Sequence, residues 1–591
     1  MIVGQVVDAA TGDPVSEAIV RLTMPKYFNN PSTPRARVMT DGEGRFFFAD
    51  LPAGEYFLEA TKDGYAPGMY GARRAWSQSQ LLSVAEGERF TDITLRVWKY
   101  GVIAGTVVDE AGEPVVGVAV RALMKDVFAG RTRFGNMQFS PELVPATTTD
   151  DRGMFRFSQL MTGSYVVLVP STQTTVPAAL VERSDPTVRS DLFFAGVGEV
   201  SLLGQPGAQQ VGDSALLTLN RVQIPPPSSG GRMTVYPTTY FPAAATASAA
   251  TPIAIQGGEE RTDITIWVRP VPAVRVSGRL VTPDGSAPPR MAIRLTGAAM
   301  ADVLTTGLVS GPDYVGFETV TGMSDATGRF TLLGVPAGEY VLSHANRFLS
   351  RALQQGQAAY WISQPITVGA DDLSDLVVML RPALRIEGRI EYGGANTPQS
   401  VIPGIMFETP FGELGQFAVE VTKGATLAFS TVAAGGQYIA RPYETGGWFV
   451  RSVTLRGKDI TDRVFDLQED ATSIVVTYTD RPSKVTGTVT DDQGSTSTTA
   501  VVLVFPADSQ RWSGYGASPR TLKSALTSRR GVYTIDHLPP GEYYAVAVAA
   551  DDIDGWKNQA VLETLATQAT RLTVAADEAP KTLDLRVKAI R

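Results

Sequence analysis

The chain alternates apolar and polar residues in short runs, and the runs return in the same order. The stretch "IVGQVVDAATGDPVSEAIVRLT" at 2–23 alternates, turns at Thr-Gly-Asp-Pro, and alternates again through Ala18, Val20 and Leu22. A period of two rich in β-branched residues predicts half-buried strands, and Gly-Asp-Pro is turn chemistry. Next come "TDGEGRFFFADLPAGEYFLEA" at 40–60 and "ERFTDITLRV" at 88–97. Short strands with a turn between each predict an antiparallel sandwich.

The same order resumes at residue 101. "GVIAGTVVDEAGEPVVGVAVRAL" copies the first hairpin, "TTDDRGMFRFSQLMTGSYVVLV" the middle pair and "EERTDITIWV" the closing strand. A third copy opens at "VRVSGRLV", a degraded fourth at "LRIEGRIEY" and a fifth at "KVTGTVT". In each copy a turn glycine precedes an inward-facing strand: Gly54, Gly163, Gly338, Gly436 and Gly541, at separations of 109, 175, 98 and 105 residues. A period near one hundred residues is long enough for each copy to bury its own core. The expected fold class is therefore all-β, with about five tandem Greek-key sandwiches and one or two short helices. The expected boundaries are 1–99, 100–271 with an insert at about 170–245, 272–383, 384–482 and 483–591.

The recurring Leu/Val-Pro-x-Gly-Glu-Tyr has a structural reading. Proline sets the turn, glycine supplies a positive φ or tolerates close packing, and tyrosine starts the next strand with its ring inward, as in a tyrosine corner. A recurring acid at Glu55, Glu339 and Glu542 is the functional alternative. Ser164 and Gln437 fill that place in the second and fourth copies, which favours the turn.

With "GTVVDEAGEPVVGVAVRAL", "TDDRGMFRF" and "LPPGEYYAVAV", the chain resembles tandem carboxypeptidase regulatory-like domains. The resemblance implies transthyretin-like (prealbumin-like) sandwiches and an accessory role in an exported protein; it implies no reaction. A related family of pilin-type sandwiches staples itself with Lys–Asn isopeptide bonds. The opening strands "IVGQVV", "VIAGTVV" and "RVSGRLV" hold no lysine, so that chemistry is not carried over.

Composition narrows the function by exclusion. A net charge of −8 leaves no basic face for nucleic acid. The absence of cysteine from all 591 residues removes disulfides, thiolate metal sites and a thiol nucleophile, and suits export through an oxidising compartment. No run approaches the length of a membrane helix. A strand pattern begins at residue 2, where a signal peptide would lie, so the expected location is extracellular or cell-surface, with the periplasm as alternative, if the chain is a processed product.

Candidate chemistry is sparse. The two histidines, His344 and His537, lack any H-E-x-x-H context, and no G-x-S-x-G elbow or phosphate loop is present. The acidic runs at 149–151, 370–372 and 549–554 sit in or near turns. No catalytic residue, metal or cofactor is expected. Aromatic residues in loops are the candidates for ligand or subunit contact: Trp512 and Tyr515 in "SQRWSGYGAS", Trp448 and Phe449 in "YETGGWFVRSV", and Tyr236, Tyr240 and Phe241 in "YPTTYFP". Either a sugar stacks on these rings or a neighbouring domain covers them. The insert can fold over its parent or add a strand to a neighbour's edge. A helix is expected where Val561, Leu562, Leu565 and Leu572 follow helical spacing. Nearly absent linkers point to a stiff rod, so a self-associating scaffold or filament is the leading expectation. A polysaccharide- or peptide-binding array is second, and an accessory region of a secreted or outer-membrane system third.

Overall fold

A computed structural model describes the chain apart from residues 25–35, 76–79, 136–145, 180–208, 219–230, 289, 298–302, 304–317, 345–348, 350–357, 394–402, 413–415, 424–426, 551–554, 576–579 and 590–591. The protein is all-β, with a short helix at Gln559–Ala566. Among the described residues, five of the hydrophobic clusters follow one another along it. They draw on residues 2–97, 103–268, 274–380, 386–478 and 485–585, here called the first to fifth stretches. Alternation sets which side chains enter: along Ile2–Asp8 every second residue is buried, beginning with Ile2.

One pairing departs from the expected antiparallel pattern. The opening strand of each stretch lies parallel to its closing strand. Ile2–Asp8 pairs this way with Phe90–Lys99, Gly101–Val108 with Glu260–Trp267, Val271–Val281 with Leu373–Met379, and Leu384–Gly393 with Ala471–Thr479. In the fifth stretch Lys484–Thr490 pairs with two short strands, Lys581–Thr582 and Leu585–Lys588. The closing strand is not joined to the opening one by a hairpin. It returns after the chain has crossed the sandwich, so it is free to run in the same direction.

That pairing explains a second set of glycines, Gly4, Gly105, Gly278, Gly388 and Gly487. A Cβ at these positions would lie 2.4, 1.9, 2.3, 2.3 and 1.9 Å from the carbonyl oxygens of Ile93, Ile264, Leu376, Ile474 and Leu583. In the first four stretches the parallel register slips at this glycine, a bulge that presses the closing backbone onto it. Gly105→Ala is expected to destabilise by about 1–3 kcal/mol, as overpacking does. Gly369→Ala, where an added methyl meets nothing within 4 Å, is the matched control. Urea unfolding of both checks it: equal midpoints would mean the bulge relaxes at no cost.

The tyrosine motif forms five corners. Tyr56, Tyr165, Tyr340, Tyr438 and Tyr543 each donate a hydroxyl proton to the carbonyl four residues earlier, at 2.8, 2.9, 2.9, 3.0 and 2.7 Å. The two roles expected for the preceding glycine divide between the copies. Gly436 and Gly541 take φ of 157° and 159°, whereas Gly54, Gly163 and Gly338 are not among the positive-φ glycines, and an added Cβ at Gly338 would sit 3.3 Å from the Tyr340 ring.

The described parts of the insert leave their parent. Ser171–Pro177 lies parallel to Glu318–Met323 of the third stretch, and Ser214–Thr218 and Gln209–Val211 extend the same sheet. Met233–Val235 joins the third stretch's other sheet through Val271–Val281. Thr239–Tyr240 then returns to the parent strand Gly163–Val169. Strand addition to a neighbour is thus the option the chain takes. The apolar run at 191–197 and the proline-rich run at 225–230 lie outside the described residues.

A second device went unforeseen. The hairpin of Ala119–Phe128 and Arg131–Gly135 outruns its sheet: Gly163–Val169 pairs with it at 121–124, and the two strands continue as a ribbon to the pair Phe128–Arg131. The expected helix is shorter than its apolar spacing. It buries Leu562 and Leu565 and ends at Ala566, and Leu572 belongs to the strand Thr570–Val574.

The stiff rod is not what forms. Junctions are as short as expected, one residue between Lys99 and Gly101, yet the fifth stretch doubles back onto the first. The Gln80 side-chain amide donates to the Thr527 carbonyl at 3.0 Å, and Arg529 reaches Asp92 at 3.1 Å and the Tyr70 hydroxyl at 3.3 Å. Short junctions fix angles, and these angles close the row instead of extending it.

Candidate functional site

Among the described residues, an extended network of buried charges lies between the fourth and fifth stretches. The strands Ile405–Glu408 and Gly436–Pro442 are buried on both faces over most of their length. A sandwich strand normally shows one face to water. Here the loop after Pro506 of the fifth stretch covers it, so charged residues on that face are sealed in.

Glu408 and Arg441, 1% and 5% exposed, pair at 2.5 Å. Arg441 also bonds Asp462 and donates Nη2 to the Tyr515 carbonyl at 2.6 Å. Asp462 accepts Nε and Nη2 of Arg520 at 3.1 and 2.8 Å, and Nη1 of Arg520 reaches Glu444 at 3.0 Å. The second oxygen of Glu408 accepts from the Ala517 amide at 2.8 Å. Two backbone choices permit this. Gly516 takes a positive φ, where an added Cβ would strike the Glu408 carboxylate at 2.3 Å. Asp462 itself turns at φ 51° to aim its carboxylate inward.

Burial pushes the Asp462 carboxyl up, but the guanidiniums of Arg520 and Arg441 outweigh it and hold it below the usual range. Burial opposes the charge on Arg520, and Asp462 and Glu444 more than restore it. Burial depresses neighbouring Lys523. Carboxylates committed to guanidiniums and amides make poor bases, so the cluster is built as a fastener. Among the described residues no group of three or more His, Asp or Glu side chains has the arrangement to hold a metal.

The aromatic candidates divide around this seam. Trp512 and Tyr515 are 4% and 8% exposed, in one cluster with Phe505, Trp556, Leu562 and Leu565. Trp512 donates Nε1 to the Pro506 carbonyl at 2.7 Å, and the Tyr515 hydroxyl donates to the Lys557 carbonyl at 3.2 Å. Phe449 packs against His537 with the rings tilted and their centroids 4.0 Å apart, and His537 Nδ1 lies 3.6 Å from Glu444 across the same seam. Trp448 is a core residue of the fourth stretch, edge-on to Tyr392 at 4.8 Å. Tyr236, Tyr240 and Phe241 stay with the second stretch: Tyr236 bonds Glu110 at 3.2 Å, Tyr240 is fully buried, and Phe241 is partly buried against that core. Buried rings cannot stack on a sugar from solvent, and those at 512 and 515 are covered by other parts of the chain. The acidic run at 149–151 caps its turn, with Asp150 accepting from Arg152 and Met154 amides at 2.9 and 2.8 Å. Part of the run at 549–554 lies outside the described residues.

Glu408, Arg441, Asp462 and Arg520 were missed from sequence, although charged residues ending the apolar runs "IMFE" and "YIAR" carried a signal. His344, at a strand end 3.5 Å from the Ile362 carbonyl, is held down to about 4 by burial, with Arg294 adding to the effect. The folded state therefore prefers neutral histidine. Its contribution is present above the unfolded value near 6.5 and is lost as pH falls toward about 4. His344→Gln is expected to remove about 2–3 kcal/mol of the stability change across that window. Denaturation midpoints at pH 4.5 and 7 check it, and an unchanged slope would count against it.

Comparison with known proteins places one part of the chain. The family model of the carboxypeptidase regulatory-like domain matches residues 1–96. No curated protein matches. Among solved structures, the chain is similar to the minor pilin GBS52 of Streptococcus agalactiae at 15% identity, covering 46% of this chain and 96% of that one, with a TM-score of 0.20. It is similar to the full-length RrgB pilus protein of Streptococcus pneumoniae at 9% identity over 76% and 90%, TM-score 0.14. The major pilin subunit BcpA of Bacillus cereus gives 10% identity over 53% and 98%, TM-score 0.14.

Proposed function

We propose that the protein is a non-enzymatic scaffold that works outside the cytoplasm and self-associates. Its domains divide at 1–99, 100–271, 272–383, 384–482 and 483–591. The observation that carries this reading is the buried Glu408–Arg441–Asp462–Arg520 cluster: four buried charged groups fasten one sandwich to the next. Strands shared between the second and third stretches serve the same end. The absence of cysteine suits an exported location. Small-angle scattering at low concentration tests the body, and electron microscopy of concentrated protein tests the association. A welded body gives a radius of gyration close to the roughly 25 Å of a compact chain this long. A value twice that would mean a row of independent domains, and a monomer at every concentration would remove self-association.

One observation favours the binding alternative. An open groove of about 670 Å³ on the fourth stretch is lined by Glu387, Arg389, Thr422, Ser430, Thr472 and Ser473, polar groups suited to a hydroxylated ligand such as a polysaccharide. Glycan binding lost in Arg389→Ala and kept in Trp512→Phe would move weight to this reading.

A further inference from the structure

The fourth stretch breaks a pattern that the other four keep. In those, a tight turn carries the chain from one sheet to the other. Asp41, Asp150, Asp325 and Ser528 hold it by accepting the backbone amide four residues on, at 2.8, 2.8, 3.0 and 3.2 Å. In the fourth stretch the chain takes a longer route. Gln416–Val419 pairs with Ile405–Glu408 in one sheet and Val421–Lys423 with Leu427–Ala433 in the other, so the chain changes sheets at Glu420. The crossing segment becomes a wall. With the outer faces of Leu384–Gly393 and Leu427–Ala433 as floor, and Thr472 and Ser473 on the opposite side, it bounds the open groove of about 670 Å³.

Alternation sorts the floor. Ile386, Ile390 and Phe429 enter the core, which leaves Glu387, Arg389 and Ser430 on the outer face. Glu387 accepts the Ser430 hydroxyl at 3.3 Å. Both arginines of this strand are committed to carboxylates outside the groove. Arg385 donates to Asp470 at 3.0 Å, and Nε of Arg389 to Glu391 at 2.8 Å. Arg389 thus lines the groove with its charge already matched, while its other guanidinium nitrogens can still donate. Lys423 alternates to the side of its strand away from Thr422. The lining keeps two carboxylates, Glu387 and Glu420, amid the hydroxyls of Thr422, Ser430, Thr472 and Ser473.

We propose that this groove takes a cationic, hydroxyl-rich chain: a polysaccharide of amino sugars with free amines. The inference rests on the binding alternative above and names the ligand class of the same site. Ring hydroxyls match the threonines, the serines and Arg389, and an ammonium group met by Glu387 or Glu420 restores the balance of charge. A volume of about 670 Å³ is in the range that encloses a small ligand, here a short run of sugar rings. A basic peptide would also meet the charge. Yet Leu384–Gly393 is paired with a strand on each side, so the floor offers no main chain for an extended peptide to pair with.

Titration calorimetry on the full chain tests this with a glucosamine tetramer, its N-acetylated form, a glucose tetramer and a hexalysine peptide. The glucosamine tetramer is expected to bind about tenfold more tightly than either neutral sugar, the usual margin of a charged hydrogen bond over a neutral one. Glu387→Gln and Glu420→Gln, isosteric changes at the groove surface, are each expected to weaken it about tenfold and to leave the neutral sugars unchanged. Glu391→Gln leaves the lining intact but releases Arg389 to compete with the amine, so glucosamine binding falls there too. Equal affinity for all the sugars, or glucosamine binding unmoved by both lining variants, overturns the proposal. If Arg389→Ala then still abolishes sugar binding, the groove stands as a neutral-glycan site and only the amine falls. Hexalysine binding that depends on Glu387, with no sugar bound, overturns the proposal in favour of a basic peptide. Binding of no probe at millimolar concentration removes the binding alternative together with the proposal.

Discussion

Replacing Arg441 by leucine will lower the unfolding free energy by about 3–5 kcal/mol, the cost of leaving a buried ion pair without one partner. Arg441 bonds Glu408 and Asp462 and satisfies the Tyr515 carbonyl, so its loss takes a partner from two carboxylates, one 1% exposed and the other nearly as deeply buried. Arg520 still neutralises Asp462; Glu408 keeps the Ala517 amide but no cation. Adding Glu408→Gln to Arg441→Leu is therefore expected to recover part of the loss, because a neutral amide costs less to bury than an unpaired charge. The two changes are in contact and will not be additive. Urea unfolding of the wild type, the single and the double variants checks this. A loss under 1 kcal/mol in Arg441→Leu would mean water enters the seam and the cluster fastens nothing. The stabilisation also fades in acid. The Asp462 pKa is depressed in the folded state, so its stabilisation is complete above the unfolded value near 4 and is lost below it.

Trp512→Ala is the second large effect, with an expected loss of about 3–5 kcal/mol from the transfer of a large ring and the void it leaves. The indole is 4% exposed, packs edge-on to Phe505 at 5.7 Å, and donates to the Pro506 carbonyl. Its backbone also faces the tip of the ribbon at Gly130. A second consequence follows that a simple core residue would not produce: protease sites at 125–134 are expected to open in Trp512→Ala and stay closed in Trp448→Ala. Limited proteolysis followed by mass measurement distinguishes the two. Equal cleavage in both would show that Trp512 has no special tie to the ribbon.

The strands and the corners were legible because their causes are local. Alternation marks Ile2–Asp8, and Pro-x-Gly-x-Tyr places a hydroxyl four residues from its acceptor. The seam was not legible because its partners are far apart in sequence. Ala517 and Glu408 are separated by 109 residues, Arg520 and Asp462 by 58. What the sequence did contain was the sign of a covered sheet. Ala500–Pro506 is buried at every position, which a half-exposed strand cannot be, and its unbroken apolar run "AVVLVFP" says so. The aromatic loop beside it packs among the fifth stretch's own Phe505, Trp556, Leu562 and Leu565, with Phe128 of the second stretch and Phe411 of the fourth against it. The opening glycines were passed over because the collision they avoid comes from a strand about 90–160 residues away.

The parallel pairing of opening and closing strands has a mechanical meaning. In each stretch the chain enters at one end of a strand pair and leaves at the other, with both strands pointing the same way. Tension applied through the chain ends would pull these two strands past each other along their length. The backbone hydrogen bonds between them then share the load together, where a hairpin would give them up one at a time from its open end. Every stretch carries this clamp, so the fold is arranged to resist being drawn out along its own backbone.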